Sequence, residues 1–154
     1  MAARIQNLYL FLAGLLAIAS IFFPFWSFSA GHLYLITYFA ASEIAEIQYA
    51  FACYAGGLFS SLIAIISLST IFLYKNRAMQ NKFILLALLL FIATLFSGLA
   101  AAHVMNQHFH NIGAIITHKP EAGFFMILPE PVLLMLALKG VKTDDKIANA
   151  YKRL

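Results

Sequence analysis

The sequence predicts an all-α, polytopic membrane protein with four transmembrane helices, both termini cytoplasmic, and a C-terminal amphipathic helix. Three observations carry that expectation. First, of 154 residues 63% are hydrophobic and 10% charged, against about 25% charged in soluble domains. Second, the island Lys75-Asn76-Arg77-Ala78-Met79-Gln80-Asn81-Lys82 is flanked by 28 uncharged residues back to Glu46, and by 20 residues without charge or histidine forward to His103. About 20 apolar residues at ~1.5 Å each cross a ~30 Å hydrocarbon core, so each flank is long enough to span a bilayer. Third, nine of the ten Lys and Arg residues lie at the N-terminus, in the island or after Leu138, and Lys119 is the exception. Short basic loops are retained on the inner side of a membrane. The island then reads as a cytoplasmic hairpin within one domain, residues 1–154.

The formal charge of +4 does not indicate nucleic acid. The basic residues flank apolar runs, where they set orientation and meet anionic headgroups, so the expected partner is the lipid bilayer. Cys53 is the single cysteine, which excludes an internal disulfide and a paired-thiol relay. Its expected role is packing. No cofactor is indicated.

The first span is expected over about 6–28. It is longer than a signal-peptide core and ends in the bulky cluster Phe22-Phe23-Pro24-Phe25-Trp26, which suits anchoring at the headgroups rather than cleavage. Ala13 and Ala17 are a small pair that permits close helix approach. A loop on the membrane interface follows, with His32, Glu43 and Glu46, and Ser42 as a candidate helix cap. The second span covers about 49–74. Its Ala52, Gly56, Ser60 and Ala64 recur every fourth residue beside Gly57 and Ser61. The third covers about 83–102, with Ala93, Ser97 and Ala101 on one row and Thr94, Gly98 and Ala102 on the next. In lipid such stripes mark tight helix packing, and the two are expected to face each other.

A second outer loop is expected over 103–121, ending in a helix start at Pro120-Glu121. The fourth span, about 122–138, is short and interrupted by Pro129-Glu130-Pro131. Gly140 is expected to stop it. The cytoplasmic tail, 139–154, reads as a separate amphipathic helix. Thr143 would cap it, Asp144 and Asp145 fill its first turn, and Lys152 and Arg153 its last. Ile147, Tyr151 and Leu154 would form an apolar face on the inner membrane surface.

The run Arg4-Ile5-Gln6-Asn7-Leu8-Tyr9-Leu10, then Phe22-Phe23-Pro24-Phe25, and the tail residues Lys142, Asp144, Asp145, Lys146, Arg153 and Leu154 resemble an uncharacterised family of small four-helix inner-membrane proteins from Bacteroidota. An aspartate usual before the family's final arginine is Lys152 here. The resemblance implies a bacterial inner-membrane location and four helices; it implies no activity.

Two constellations carry candidate chemistry. His103, His108, His110 and His118, with Glu121, have the side-chain types that bind Zn or Cu. Their spacing is weak evidence, since His103 and His108 miss the i, i+4 geometry of one helix face. The ordinary expectation is interfacial histidines in a polar loop. Glu130 is the sharper feature: an ionisable residue near mid-span marks an interior or a partner contact. It is expected to bond a hydroxyl on a neighbouring span, such as Thr94 or Ser97, to contact a partner subunit, or to lie on a proton path. No phosphate loop, HExxH or Gly-x-Ser-x-Gly is present, and an enzyme is not indicated. The sequence thus suggests a non-catalytic accessory or structural subunit of a larger bacterial inner-membrane complex, held among other membrane subunits. The alternatives are a small proton-coupled transporter using Glu130, or an outer-face metal or quinone-linked redox protein using the histidine loop.

Overall fold

A computed structural model describes residues 2–40, 45–74 and 76–151. The expected cap at Ser42 with Glu43, the island's Lys75, and the tail's Lys152, Arg153 and Leu154 lie outside the described residues. The elements run α1 (Ala2–Phe22), β1 (Trp26–Ala30), β2 (His32–Ile36), α2 (Ile47–Phe72), α3 (Arg77–Asn111), β3 (Thr117–Pro120), α4 (Ala122–Ile127) and α5 (Glu130–Tyr151). The fold is mostly helical, and four stretches of helix are long and apolar enough to cross a membrane, α4 and α5 together forming the fourth. It also holds a small sheet, order β2-β1-β3, antiparallel throughout. The all-α expectation is corrected there. One end of the bundle carries this sheet and the other carries the Arg77 turn; they are called the sheet end and the turn end below.

α1 stops at Phe22 rather than Phe28 because the residue before Pro24 is driven away from helical backbone. The chain then becomes extended, and Phe25 N–H donates to Ile36 O at 2.7 Å. Gly31, with φ +80°, makes the tip between β1 and β2. β3 pairs with β1 from Trp26↔Pro120 to Ser29↔Thr117. What reads as two interfacial loops is therefore one sheet closing the end of the bundle.

α3 does not end at His103. Nothing between Gly98 and Gly113 breaks a helix, so α3 runs 35 residues, about 52 Å at ~1.5 Å each. Gly113 ends it with φ +70°. Its N–H reaches His110 O and that of Ala114 reaches Phe109 O, both at 3.1 Å, a Schellman closure that needs glycine at this position. At the turn end, Asn76 caps α3 by accepting from Met79 N–H at 3.2 Å.

The prolines interrupt the fourth helical stretch only briefly. Leu133 N–H already reaches Pro129 O at 3.1 Å, and Pro131 lies in the first turn of α5, where its missing donor costs nothing. The expected stop at Gly140 and the separate tail helix are corrected. α5 passes through Gly140 to Tyr151, and the Thr143 hydroxyl bonds back to Lys139 O at 2.9 Å instead of capping. Gly140 serves close approach: a Cβ there would lie 2.5 Å from Gln6 Cγ. The expected helix start near Pro120-Glu121 is close, since α4 begins at Ala122 with Glu121 as its N-cap.

Two apolar clusters fill the interior. The one at the sheet end gathers Phe25, Phe28, Ile36, Tyr38, Ile63, Met105 and Ile127, among others. The one at the turn end gathers Leu10, Ala13, Ile84, Ala87, Leu134, Ala137 and Val141.

Candidate functional site

α2 and α3 form the most extensive helix pair, yet their glycines do not meet each other. A Cβ on Gly56 would lie 2.4 Å from the Tyr38 ring, on Gly57 2.5 Å from the Phe39 ring, and on Gly98 2.5 Å from the Phe25 ring. These glycines are seats for aromatic rings that the residues of the sheet end lay against α2 and α3. Ser60 turns to α1, where its hydroxyl donates to Ala17 O and meets Ser20 Oγ, each at 2.9 Å. Ala64 also meets α1, its carbonyl lying 3.5 Å from where a Gly14 Cβ would be. Ala101 is buried in the sheet-end cluster, while Ala93 and Ser97 are half-buried. The expectation that the stripes are a mutual α2–α3 contact is corrected for Gly56, Gly57, Gly98 and Ser60.

Glu130 opens α5 between the two clusters, since Ile127 belongs to one and Leu134 to the other. Gly123 abuts the carbonyls of Phe23 and Pro24, and Gly140 abuts Gln6. α1 therefore runs antiparallel to α4–α5, with Glu130 opposite its middle. Glu130 is 0% exposed. Among the described residues, neither carboxyl oxygen has a hydrogen-bond partner. The expected bond to Thr94 or Ser97 is absent among the described residues; the Thr94 hydroxyl donates to Leu90 O at 3.0 Å in its own helix.

Tyr38 is the neighbour that sequence reading missed. It looks interfacial as a sequence, yet it is 4% exposed, and its ring stands 6.0 Å from that of Phe25. Its hydroxyl is also without a hydrogen-bond partner among the described residues. Burial pushes the Tyr38 phenol up strongly, and the charges of Glu130 and then Cys53 push the same way. Tyr38 therefore stays a neutral donor. Among the described residues Ser67 Oγ and Asn81 Oδ1 are without a hydrogen-bond partner too, but each is a single neutral oxygen, whereas Glu130 has both oxygens of an ionisable group without one. Chemically, this interior can hold a proton, or offer a carboxylate and a phenol to a small polar visitor.

The histidine set is dispersed. His103 is exposed on α3, beside a shallow hollow of about 230 Å³ that Trp26 and His118 also line. His108 Nδ1 pairs with Glu46 Oε1 at 2.9 Å, while His110 is exposed in the last turn of α3. His118 Nδ1 accepts from the Trp26 indole N–H at 3.3 Å. Glu121 accepts from the Ser27 hydroxyl at 2.8 Å and pairs with Lys119 at 3.2 Å. The Ser27 bond first, and Lys119 second, hold its carboxyl below the usual 4.5. Among the described residues no three His, Cys, Asp or Glu side chains converge as a metal set. The candidate set His103, His108, His110, His118 and Glu121 is thus not gathered into one group among the described residues, although His103 and His118 line the same hollow.

A second polar group lies at the turn end. Gln6 Nε2 donates to Asp144 Oδ2 at 2.8 Å, Arg77 Nη1 donates to Asp144 O, and Gln80 Nε2 donates to Thr70 O at 3.3 Å. Gln6 and Gln80 are buried. The two sequence stretches that carry the family resemblance thus meet here.

No curated protein and no solved structure matches the chain. A family model described as "Domain of unknown function (DUF4293)" matches residues 2–154, and the chain belongs to that family.

Proposed function

We propose that the chain is a multi-pass protein of the bacterial inner membrane, with both termini and the Arg77 turn in the cytoplasm. In this reading Glu130 binds and releases a proton in proton-coupled transport. The observation that carries it is the buried carboxyl, which has no hydrogen-bond partner among the described residues. An unsatisfied buried polar group costs roughly 1–3 kcal/mol, and an apolar residue of similar size avoids that cost. A stabilising role therefore does not explain Glu130. Its full burial, 0% exposed, supports an interior role over contact with a partner subunit. Ionisable residues inside spans typically mark ion paths and proton relays.

Proteoliposomes with a trapped pH-sensitive dye and an imposed potential test this. The parent should admit protons faster than Glu130→Gln, which keeps the shape of the neutral acid and loses its titratable proton. Equal rates for the two would overturn the reading.

A second reading, the non-catalytic accessory subunit, is favoured by the apolar faces of α4 and α5. Phe125, Val132 and Met135 there are each more than half exposed, a surface suited to lipid or to other membrane subunits. Stoichiometric foreign subunits after mild-detergent purification, together with proton-tight vesicles of the parent, would support it over the first.

A further inference from the structure

The ends of the chain build a pocket that the Glu130 reading does not use. At the turn end, a cavity of about 120 Å³ is lined by Gln6, Asn7, Tyr74, Arg77, Gln80 and Asp144. Four segments converge on it: the start of α1, the residues after α2, the start of α3 and the second half of α5. A water needs about 10–15 Å³ of such space, so the cavity has room for several waters or for a polar headgroup.

The chemistry of the lining is zwitterionic. Arg77 spends one guanidinium nitrogen on Asp144 O, and Asp144 spends Oδ2 on the Gln6 amide. Among the described residues no bond occupies the rest of the guanidinium or Oδ1. A cation with spare donors thus stands beside an anion with a spare acceptor. Guanidinium forks match phosphate oxygens, and a carboxylate matches a primary ammonium that donates hydrogen bonds. Gly140 holds Gln6 close against α5, so the amide that orients Asp144 is fixed by packing.

We infer that this pocket binds the headgroup of an aminophospholipid, a phosphodiester carrying a primary ammonium. The phosphate meets Arg77 and the ammonium meets Asp144. The source is lipid because, on the membrane reading above, the pocket lies at the turn end of four helices long and apolar enough to cross a bilayer, where headgroups sit, and Tyr74 in its lining is 59% exposed. The inference does not depend on Glu130.

The test uses the full chain in mild non-ionic detergent, with phosphatidylethanolamine, phosphatidylcholine or phosphatidylglycerol of matched acyl chains added to the micelles. Bound lipid is read by native mass spectrometry and protection by the melting midpoint. Phosphatidylethanolamine should be retained several-fold over the other two and should raise the midpoint most. Asp144→Asn keeps an acceptor for Gln6 and removes the charge; it should lose the preference over phosphatidylcholine. Arg77→Gln should weaken all three. Equal retention by the parent, stronger retention of phosphatidylglycerol, or a preference that survives in Asp144→Asn would overturn the inference. Full protection by soluble phosphoethanolamine would overturn the lipid as source. Should Asp144→Asn fail to fold, the parent's choice between ethanolamine and choline headgroups still decides.

Discussion

Two sets of buried polar side chains share this bundle and are treated in opposite ways. At the turn end, Gln6 and Gln80 donate to Asp144 and to Thr70 O, tying α1 to α5 and α3 to α2. Midway along, Glu130 and the Tyr38 hydroxyl lie as deep and bond nothing among the described residues. A satisfied buried amide contributes to stability, whereas an unsatisfied carboxyl subtracts from it. The first set is a fastening. The second is a cost to folding, and the proposed proton exchange at Glu130 gives it a use.

Substitution at the close contacts gives the largest expected effects. Gly123→Ala would bring a Cβ within 2.5 Å of Phe23 O and 2.7 Å of Pro24 O. Backbone cannot rotate aside, so the loss should reach the upper end of the ~1–3 kcal/mol typical of overpacking. Gly98→Ala and Gly56→Ala press on the buried rings of Phe25 and Tyr38 and should cost less. Gly57→Ala presses on Phe39, which is 45% exposed and free to swing, and should cost least. Leucine at Ile115, 96% exposed, is the neutral control. Melting in detergent checks the order; equal losses across the series would mean the glycines share one environment.

Glu130→Leu separates the two polar sets by sign. It removes an unsatisfied group without breaking a bond, so the melting midpoint should rise, by about 1–3 kcal/mol in stability. A fall of that size would show that Glu130 is bonded and belongs with the fastenings. Gln6→Leu should move the other way, losing about 1 kcal/mol with the Asp144 bond.

The smallest expected effect is at the sheet. Glu121 is held below the usual 4.5, chiefly by the Ser27 hydroxyl and then by Lys119. A depressed folded value contributes stability above the unfolded value and loses it as pH falls through the folded one. Acidification below 4.5 should therefore loosen the β1–β3 pairing slightly. Ser27→Ala should bring Glu121 back toward 4.5, a shift readable by carboxyl NMR. An unchanged Glu121 titration would contradict the assignment of its cause.

Composition and charge made the four apolar helices legible, because span length and loop charge are local properties. The sheet was not legible. Trp26 to Phe28 reads as the end of the first span and the residues after it as a loop, and the pairing of Trp26–Ser29 with Thr117–Pro120 joins residues some ninety positions apart, which no local pattern encodes. The end of α3 is legible in principle, since Gly113 carries the stop signal and His108 and His110 sit in the last turn, but His103, as the first ionisable residue after the apolar run, reads as a boundary although it does not break the helix. Glu130 stood out as an ionisable residue between prolines. Its lack of a partner among the described residues did not, because what surrounds a buried carboxyl is set by tertiary packing. Gly56 and Gly98 were visible as small, but what occupies the space beside a glycine is a tertiary fact.

The central claim is that Glu130 exchanges a proton within the folded protein. Infrared difference spectra across a pH titration, on parent and Glu130→Gln in matched detergent, address it directly. The account predicts a carboxyl C=O band that responds to pH while the helices stay folded, and that is missing in Glu130→Gln. If no band assignable to Glu130 changes anywhere in the range where the parent remains folded, Glu130 is a fixed structural group and the proton-coupled reading is wrong.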